Sequence, residues 1–217
     1  MSKKTNKKRS KVKKILLFIV VLLVAGGLIY MALFHNNKPT ETKKKKVVDK
    51  IDDFDYSVSE TDTKLFKDEF KKLKKELSKK EVDNQKYSEL VAKLFIIDFY
   101  TLDNKMSKND VGGVQFVYKN YKATFIDKAR DQFYKYLKNN LDGKRNQELP
   151  EVSEIKVESV EAVSASSELT TDEFKSIDEA YKVNLSWDYK SDLGYQKSAT
   201  VIVVKDDNKF SVAKLSN

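Results

Sequence analysis

The side chain best placed for chemistry in this sequence is Asp98, a carboxylate within an apolar stretch. It follows Val91 by seven residues, so on a helix the two share one apolar face. An ionised carboxylate there costs free energy unless it is paired or hydrogen-bonded. Two interpretations stay open: an acid in a ligand pocket, or a structural Asp held by a tyrosine or a backbone N–H. Tyr100 and Trp187 are the other pocket candidates, with a place in the core as the alternative for Trp187.

Nucleophilic and metal chemistry have little support in this sequence. The chain contains no cysteine, and its single histidine is His35. This excludes Ser-His-Asp and Cys-His catalysis and the usual zinc sites from residue 51 onward. Ser153 and Lys156 form a Ser-x-x-Lys motif, but its companion motifs are missing. Phosphate-binding glycine loops and a calcium loop are also missing. We therefore expect a non-enzymatic domain with no cofactor.

Two amphipathic helices are expected ahead of and around Asp98. Residues 61–80 repeat apolar residues at helical spacing among lysines, which predicts a core-facing helix with a solvated face. Asp83 can cap a second helix that runs to about Leu102. Its C-terminal half is apolar nearly all round, so we expect it to be the central helix.

A third helix is predicted after a turn-rich break at residues 103–113. Gly112 and Gly113 are suited to positive φ in that break. Apolar residues then recur every three or four positions from about Val114 or Tyr121 to Leu141. The Asp-Gly pair at residues 142–143 predicts the end of this helix.

Beyond Pro150 the hydrophobic period changes to two, which predicts strands. A phase slip between Val157 and Val160 suggests a bulge. Residues 166–178 are a polar connection with at most one helical turn. The strand at residues 181–189 has one wet face, and the next, ending near Lys205, is apolar on both faces. The fold class is therefore α+β, with about three helices and a curved antiparallel sheet of about four strands.

The N-terminal region predicts a membrane anchor. Residues 15–34 contain no charge, and fourteen of the twenty are Leu, Ile, Val or Phe. As a helix they would span about 30 Å, the thickness of a bilayer core. The eight Lys or Arg of residues 1–14 place that tail in the cytoplasm and the C-terminal domain outside. A cleaved signal peptide is the alternative, although the apolar run is long for one.

The expected organisation is a cytoplasmic tail at 1–14, a transmembrane helix at 15–34, a linker at 35–60 and an extracytoplasmic domain at 61–217. Residues 1–50 carry a net charge of +12, whereas residues 51–217 carry −3. The high overall charge therefore does not indicate nucleic-acid binding, and we expect no nucleic-acid partner. Basic residues flank the apolar run and suit contact with lipid headgroups. They are Lys13, Lys14, Lys43, Lys44, Lys45 and Lys46.

The order of tail, span, linker, helices and antiparallel sheet resembles the nuclear transport factor 2-like superfamily. Its layout is similar to that of the bitopic assembly factors of type IV secretion and conjugation systems. The resemblance covers residues 61–217 in element order and includes no motif. It implies a cone-like sheet around a helix, used as a protein scaffold in the secretion members and as a catalytic cavity in others.

Two functions follow as hypotheses. The first is a membrane-anchored scaffold that binds other envelope or membrane proteins of a bacterium. The second is a small-molecule-binding or isomerase-like domain with Asp98 near the pocket floor.

Overall fold

The computed structural model describes residues 46–216. These residues form an α+β fold in which a two-stranded hairpin precedes four helices and a four-stranded antiparallel sheet. The helices are α1 Lys64–Leu77, α2 Asn84–Tyr100, α3 Lys122–Asp131 and α4 Ala165–Glu168. The strands are β1 Val47–Ile51, β2 Tyr56–Ser59, β3 Val152–Val163, β4 Ala180–Tyr189, β5 Ser198–Asp206 and β6 Lys209–Ser216.

The predicted membrane span lies outside the described residues, as do the cytoplasmic tail and the flanking lysines other than Lys46. Within residues 46–216, no helix has both the length and the apolar character needed to cross a bilayer.

The folded domain begins earlier than the sequence predicted. Residues 47–59, assigned to the linker, form the β1–β2 hairpin. Tyr56 and Val58 are 0% and 3% exposed, and the Tyr56 hydroxyl donates to the Phe210 carbonyl oxygen at 2.7 Å. The prediction failed because β2 has only four residues, too few for a clear alternating pattern, and Tyr56 finds its partner at the other end of the chain. Residues 47–59 therefore belong to the fold, whereas the sequence placed them in the linker.

The first two helices are confirmed. The Thr63 side chain caps α1 by accepting from the Phe66 N–H, and Asp83 caps α2 by accepting from the Lys86 N–H. Helix α2 contacts all four strands of the main sheet and is the central helix. Between α1 and α2, the Glu69 Oε2 atom lies 2.9 Å from the Lys93 ammonium, as an ion pair outside hydrogen-bond geometry.

The third helix is shorter than predicted, since α3 ends at Asp131 instead of Leu141. Residues 114–116 and 119–121 are separate 3-10 turns. After α3 the chain turns so that Tyr134, outside the helical pattern, is 0% exposed. Its hydroxyl donates to the Phe99 carbonyl oxygen at 2.7 Å. The Tyr134 N–H donates to the Ala129 carbonyl oxygen at 2.8 Å, five residues back, so the helical i to i−4 pattern has ended here.

The four-stranded sheet is the predicted meander, with the order β3-β4-β5-β6 and antiparallel neighbours throughout. The predicted bulge is present as a register shift between Val157 and Ser159. The strand predicted to be apolar on both faces is β5. Its Val201 and Val203 belong to the main core, whereas Ile202 and Val204 pack in a second cluster with Phe174. The segment predicted as a polar connection, residues 166–178, contributes Leu169 and Phe174 to that second cluster and so covers this face of β5.

Candidate functional site

Asp98 lies in the last turn of α2 and is bound on both carboxylate oxygens. Its Oδ1 accepts from the Lys105 ammonium at 2.5 Å, and its Oδ2 accepts from the Gly113 N–H at 2.6 Å. The Lys105 side chain is 0% exposed and that of Asp98 is 17% exposed. Asp98 therefore has the contacts of a structural carboxylate, held by a backbone N–H as one interpretation expected. Its partner Lys105 was not anticipated from the sequence.

A loop of two glycines fits closely against the end of α2. The Gly112 N–H donates to the Tyr134 hydroxyl at 3.1 Å. A Cβ atom at Gly112 would lie 2.1 Å from the Asp98 carbonyl oxygen, so any other residue would clash with backbone. Gly113 has φ +78° and packs on the Phe95 ring. Positive φ was predicted for both glycines and is present at Gly113; at Gly112 the requirement for glycine is steric.

An arginine, Arg145, holds the backbone of the turn that contains Lys105. The Arg145 guanidinium donates to the Lys105 carbonyl oxygen at 2.7 Å and to the Asp103 carbonyl oxygen at 2.6 Å. Partial burial lowers the pKa of Arg145, with the Asp103 charge acting in the other direction. These two hydrogen bonds hold the backbone from which the buried Lys105 ammonium reaches Asp98.

Asp98 and Lys105 line a polar cavity of about 250 Å³ beside the β1–β2 hairpin. Two more carboxylates face it, Asp62 and Asp110. Asp62 accepts from the Ser59 N–H at 2.7 Å, and Asp110 accepts from the Met106 N–H at 2.9 Å. Burial raises the pKa of the Asp62 carboxyl, and the negative charge of Asp98 raises it further. Across residues 46–216, no cluster of three or more acidic, histidine or cysteine residues is arranged to hold a metal ion.

The pH dependence of stability tests this polar cavity. Because the pKa of the Asp62 carboxyl is higher in the folded chain than the unfolded value of 3.8, ionising this group destabilises the fold. The stability linked to Asp62 is therefore fully present below pH 3.8 and is lost as pH rises through the folded pKa. Asp62→Asn keeps an oxygen for the Ser59 N–H but removes the charge. We expect the stability of this variant relative to the parent to increase between about pH 3 and about pH 7, measured by urea unfolding.

Asp49→Asn is the matched control for that measurement. A hydrogen bond from Lys74 lowers the pKa of Asp49, so removing this carboxylate should give the opposite slope. Parallel curves for Asp62→Asn and the parent would contradict a raised pKa at Asp62.

The predicted pocket of Asp98, Tyr100 and Trp187 is not assembled. The Tyr100 and Trp187 rings lie 4.7 Å apart, both are at most 3% exposed, and neither lines the cavity beside Asp98. Residues two apart on a helix point to different sides, which separates Asp98 from Tyr100. The Tyr100 hydroxyl donates to Gln196 at 3.2 Å, and burial raises the pKa of Tyr100. Both aromatic residues belong to the main core, which is the alternative that the sequence offered for Trp187.

The Ser-x-x-Lys motif is also not a paired site. The Ser153 hydroxyl donates to the Asp188 carbonyl oxygen at 3.2 Å, whereas the Lys156 ammonium pairs with Glu154 at 3.2 Å. The two side chains therefore have different partners on the exposed surface of β3.

A second cavity, of about 420 Å³, lies between α2, α3 and β6, and we call it the α3–β6 groove. Its lining comes from three segments that are far apart in sequence. The lining residues are Phe95, Val117, Tyr121, Thr124, Phe125, Lys128, Val212, Ala213, Lys214 and Leu215. Phe95, Tyr121 and Phe125 lie on the predicted apolar faces of their helices, and no local pattern shows that a gap remains between α3 and the sheet edge.

Comparison with known proteins finds no matching family model, no matching curated protein and no matching solved structure.

Proposed function

We propose that this chain is a membrane-anchored, extracytoplasmic interaction domain of a bacterial envelope assembly, acting as a scaffold without enzymatic activity. The observation that supports it best is the free edge of β3. This strand has twelve residues and ends the sheet, and within residues 46–216 no strand pairs with its outer side. An exposed sheet edge can accept a strand from a partner protein through backbone hydrogen bonds.

The β3 edge has features that discourage indiscriminate pairing. Its register against β4 shifts twice, between Val152 and Glu154 and between Val157 and Ser159. Its exposed positions alternate in charge, with Glu154, Lys156 and Glu158 in order. Bulges and charges on an edge strand suppress aggregation, while a partner with complementary charges can still bind. These features suit a selective interface.

Residues 15–34 are proposed as a retained span, with the N-terminus in the cytoplasm and the domain outside. Because β1 begins at Val47, twelve residues (35–46) separate the apolar run from the fold. Fully extended, they reach about 40 Å, so the proposed partners lie at or near the membrane. The contacts of α2 with all four strands agree with the cone-like sheet of nuclear transport factor 2-like domains, which we retain as the proposed fold relationship.

Site-specific photocrosslinking in cells tests the interaction function. A photoreactive residue at Lys156 or Glu161 of β3 should give adducts with one envelope or membrane protein, because a strand added to this edge would pass beside both positions. The same residue at Lys75, exposed on α1, is the control. Equal adducts at Lys75, or recovery of the protein as an uncrosslinked monomer, would contradict the proposal.

Small-molecule binding is the second candidate function, and the α3–β6 groove favours it. Its 420 Å³ falls within the range of about 300–1,000 Å³ that is typical of ligand pockets. The lining does not include Asp98, so an isomerase-like site with this acid at its floor is not supported by the geometry.

A further inference from the structure

The α3–β6 groove exists because α3 is held mainly at one side. Ala129 is the one residue of α3 that is buried. Phe125, half-buried, contacts the Phe95 and Phe99 rings of α2, with ring centroids 5.7 and 5.3 Å apart. On the opposite wall, the register of β6 shifts where Ile202 and Val203 meet it, so consecutive residues Val212–Leu215 all line the groove. The side of α3 nearest β6 therefore leaves an apolar space.

The charge of the groove contrasts with the charge of the domain. Residues 51–217 carry a net charge of −3, yet the lining includes two lysines and no acidic residue. The Lys214 ammonium donates to the Glu168 carbonyl oxygen at 3.2 Å, and within residues 46–216 it forms no ion pair with a carboxylate. Lys128, exposed in the last turn of α3, has no ion-pair partner among the residues that the structure describes. An occupant with an apolar body and an anionic end would match both features.

A peptide strand is the less suitable occupant, because the outer edge of β6 is largely taken. The Tyr118 N–H donates to the Val212 carbonyl oxygen at 2.9 Å. The Tyr56 hydroxyl occupies the Phe210 carbonyl oxygen, and the Tyr87 hydroxyl accepts from the Phe210 N–H at 3.4 Å. A strand added to β6 would find free backbone groups only beyond Val212. A ligand that needs no backbone hydrogen bonds does not meet this obstacle.

We propose that the α3–β6 groove binds a single-chain anionic amphiphile of the fatty-acid type. The hydrocarbon chain lies against Phe95, Phe125 and Leu215, and the carboxylate meets the ammonium groups of Lys128 and Lys214. One chain, rather than the two of a phospholipid, suits the volume of 420 Å³. This inference deepens the second candidate function and is independent of a partner at β3.

Photolabelling of the full chain tests the proposal. The protein is placed in nanodiscs of uncharged phosphatidylcholine and labelled with palmitic acid that carries a mid-chain diazirine and a terminal alkyne. Adducts should map by mass spectrometry to residues 121–128 and 212–215. Unlabelled palmitic acid should compete better than hexadecanol, which has the same chain and no charge. Equal competition by the two compounds, or adducts spread over the whole domain, would overturn the proposal.

Variants of the groove separate the roles of the chain and the carboxylate. Ala213→Trp, or Thr124→Trp on the exposed side of α3, fills the groove and should abolish labelling there. The double variant Lys128→Glu, Lys214→Glu should reduce labelling by about fivefold, the upper range for exposed charge pairs. The charge-matched control Lys75→Glu, Lys80→Glu, on and beside α1, should label like the parent.

The variants also define which results contradict the proposal. Circular dichroism melts establish that each variant is folded before labelling. Labelling that persists in both tryptophan variants would overturn the proposal. So would a crosslink from a photoreactive residue at position 213 to a protein instead of to the fatty acid. Failure of the β3 crosslinks would leave these measurements unaffected, so the two proposals fail separately.

Discussion

Gly112→Ala is expected to lower the free energy of unfolding by about 3 kcal/mol, at the upper end for overpacked sites. The added Cβ would lie 2.1 Å from the Asp98 carbonyl oxygen and 2.9 Å from its carboxylate Oδ1. Backbone at the end of α2 cannot move away without disturbing the Lys105–Asp98 pair and the Tyr134 hydroxyl bonds. Guanidinium unfolding of the full chain in detergent micelles, followed by the fluorescence of its single tryptophan, buried Trp187, gives the value.

Gly194→Ala is the control for this substitution. Gly194 has φ +74°, and a Cβ atom there has nothing within 4 Å. The control should therefore cost about 1–2 kcal/mol from backbone conformation alone. A smaller cost at Gly112 than at Gly194 would mean that the glycine loop does not pack against α2 as described.

Asp98→Asn is expected to cost about 3 kcal/mol or more, because it leaves the Lys105 ammonium buried without its carboxylate. Lys105 is 0% exposed, whereas Asp98 is 17% exposed. Asp98→Asn should therefore lower the free energy of unfolding more than Lys105→Met does. In Lys105→Met the Asp98 carboxylate still reaches water and still accepts from the Gly113 N–H. The same tryptophan-monitored unfolding measures both variants.

The double variant Asp98→Asn, Lys105→Met decides whether the two groups act as a pair. With both charges absent, neither member of the pair is left as a buried ion without the other, so the cost of the double variant should be well below the sum of the two single costs. If the costs of the two single variants add up to the cost of the double variant, the two groups do not interact, which would contradict a direct ion pair. It would also indicate that Asp98 is held mainly by the Gly113 N–H.

Elements with a strong local pattern could be predicted from the sequence. The alternation of residues 181–189 identified β4, and the phase slip after Val157 identified the bulge of β3. The capping side chain of Asp83 marked the start of α2. These features depend on neighbouring residues, because hydrophobic period and capping chemistry act over a few positions along the chain.

The candidate sites could not be predicted in the same way. The sequence singled out Asp98 but not Lys105, because a lysine in a turn-rich segment normally faces water. It placed Tyr100 with Asp98, although their side chains leave α2 on different sides. It extended α3 to Leu141, because it did not anticipate that the buried Tyr134 hydroxyl would meet the Phe99 carbonyl oxygen.

The α+β class, the order of the main elements and the place of one carboxylate on an apolar helix face all follow from local patterns in the sequence. Three results depend on the packing of the whole chain: Lys105 is the cation that neutralises Asp98, the β1–β2 hairpin joins the core, and an apolar groove remains between α3 and β6. Each of these results depends on contacts between residues tens of positions apart, such as Tyr56 with Phe210. Local periodicity holds no information about such contacts, because they form only when the whole chain packs.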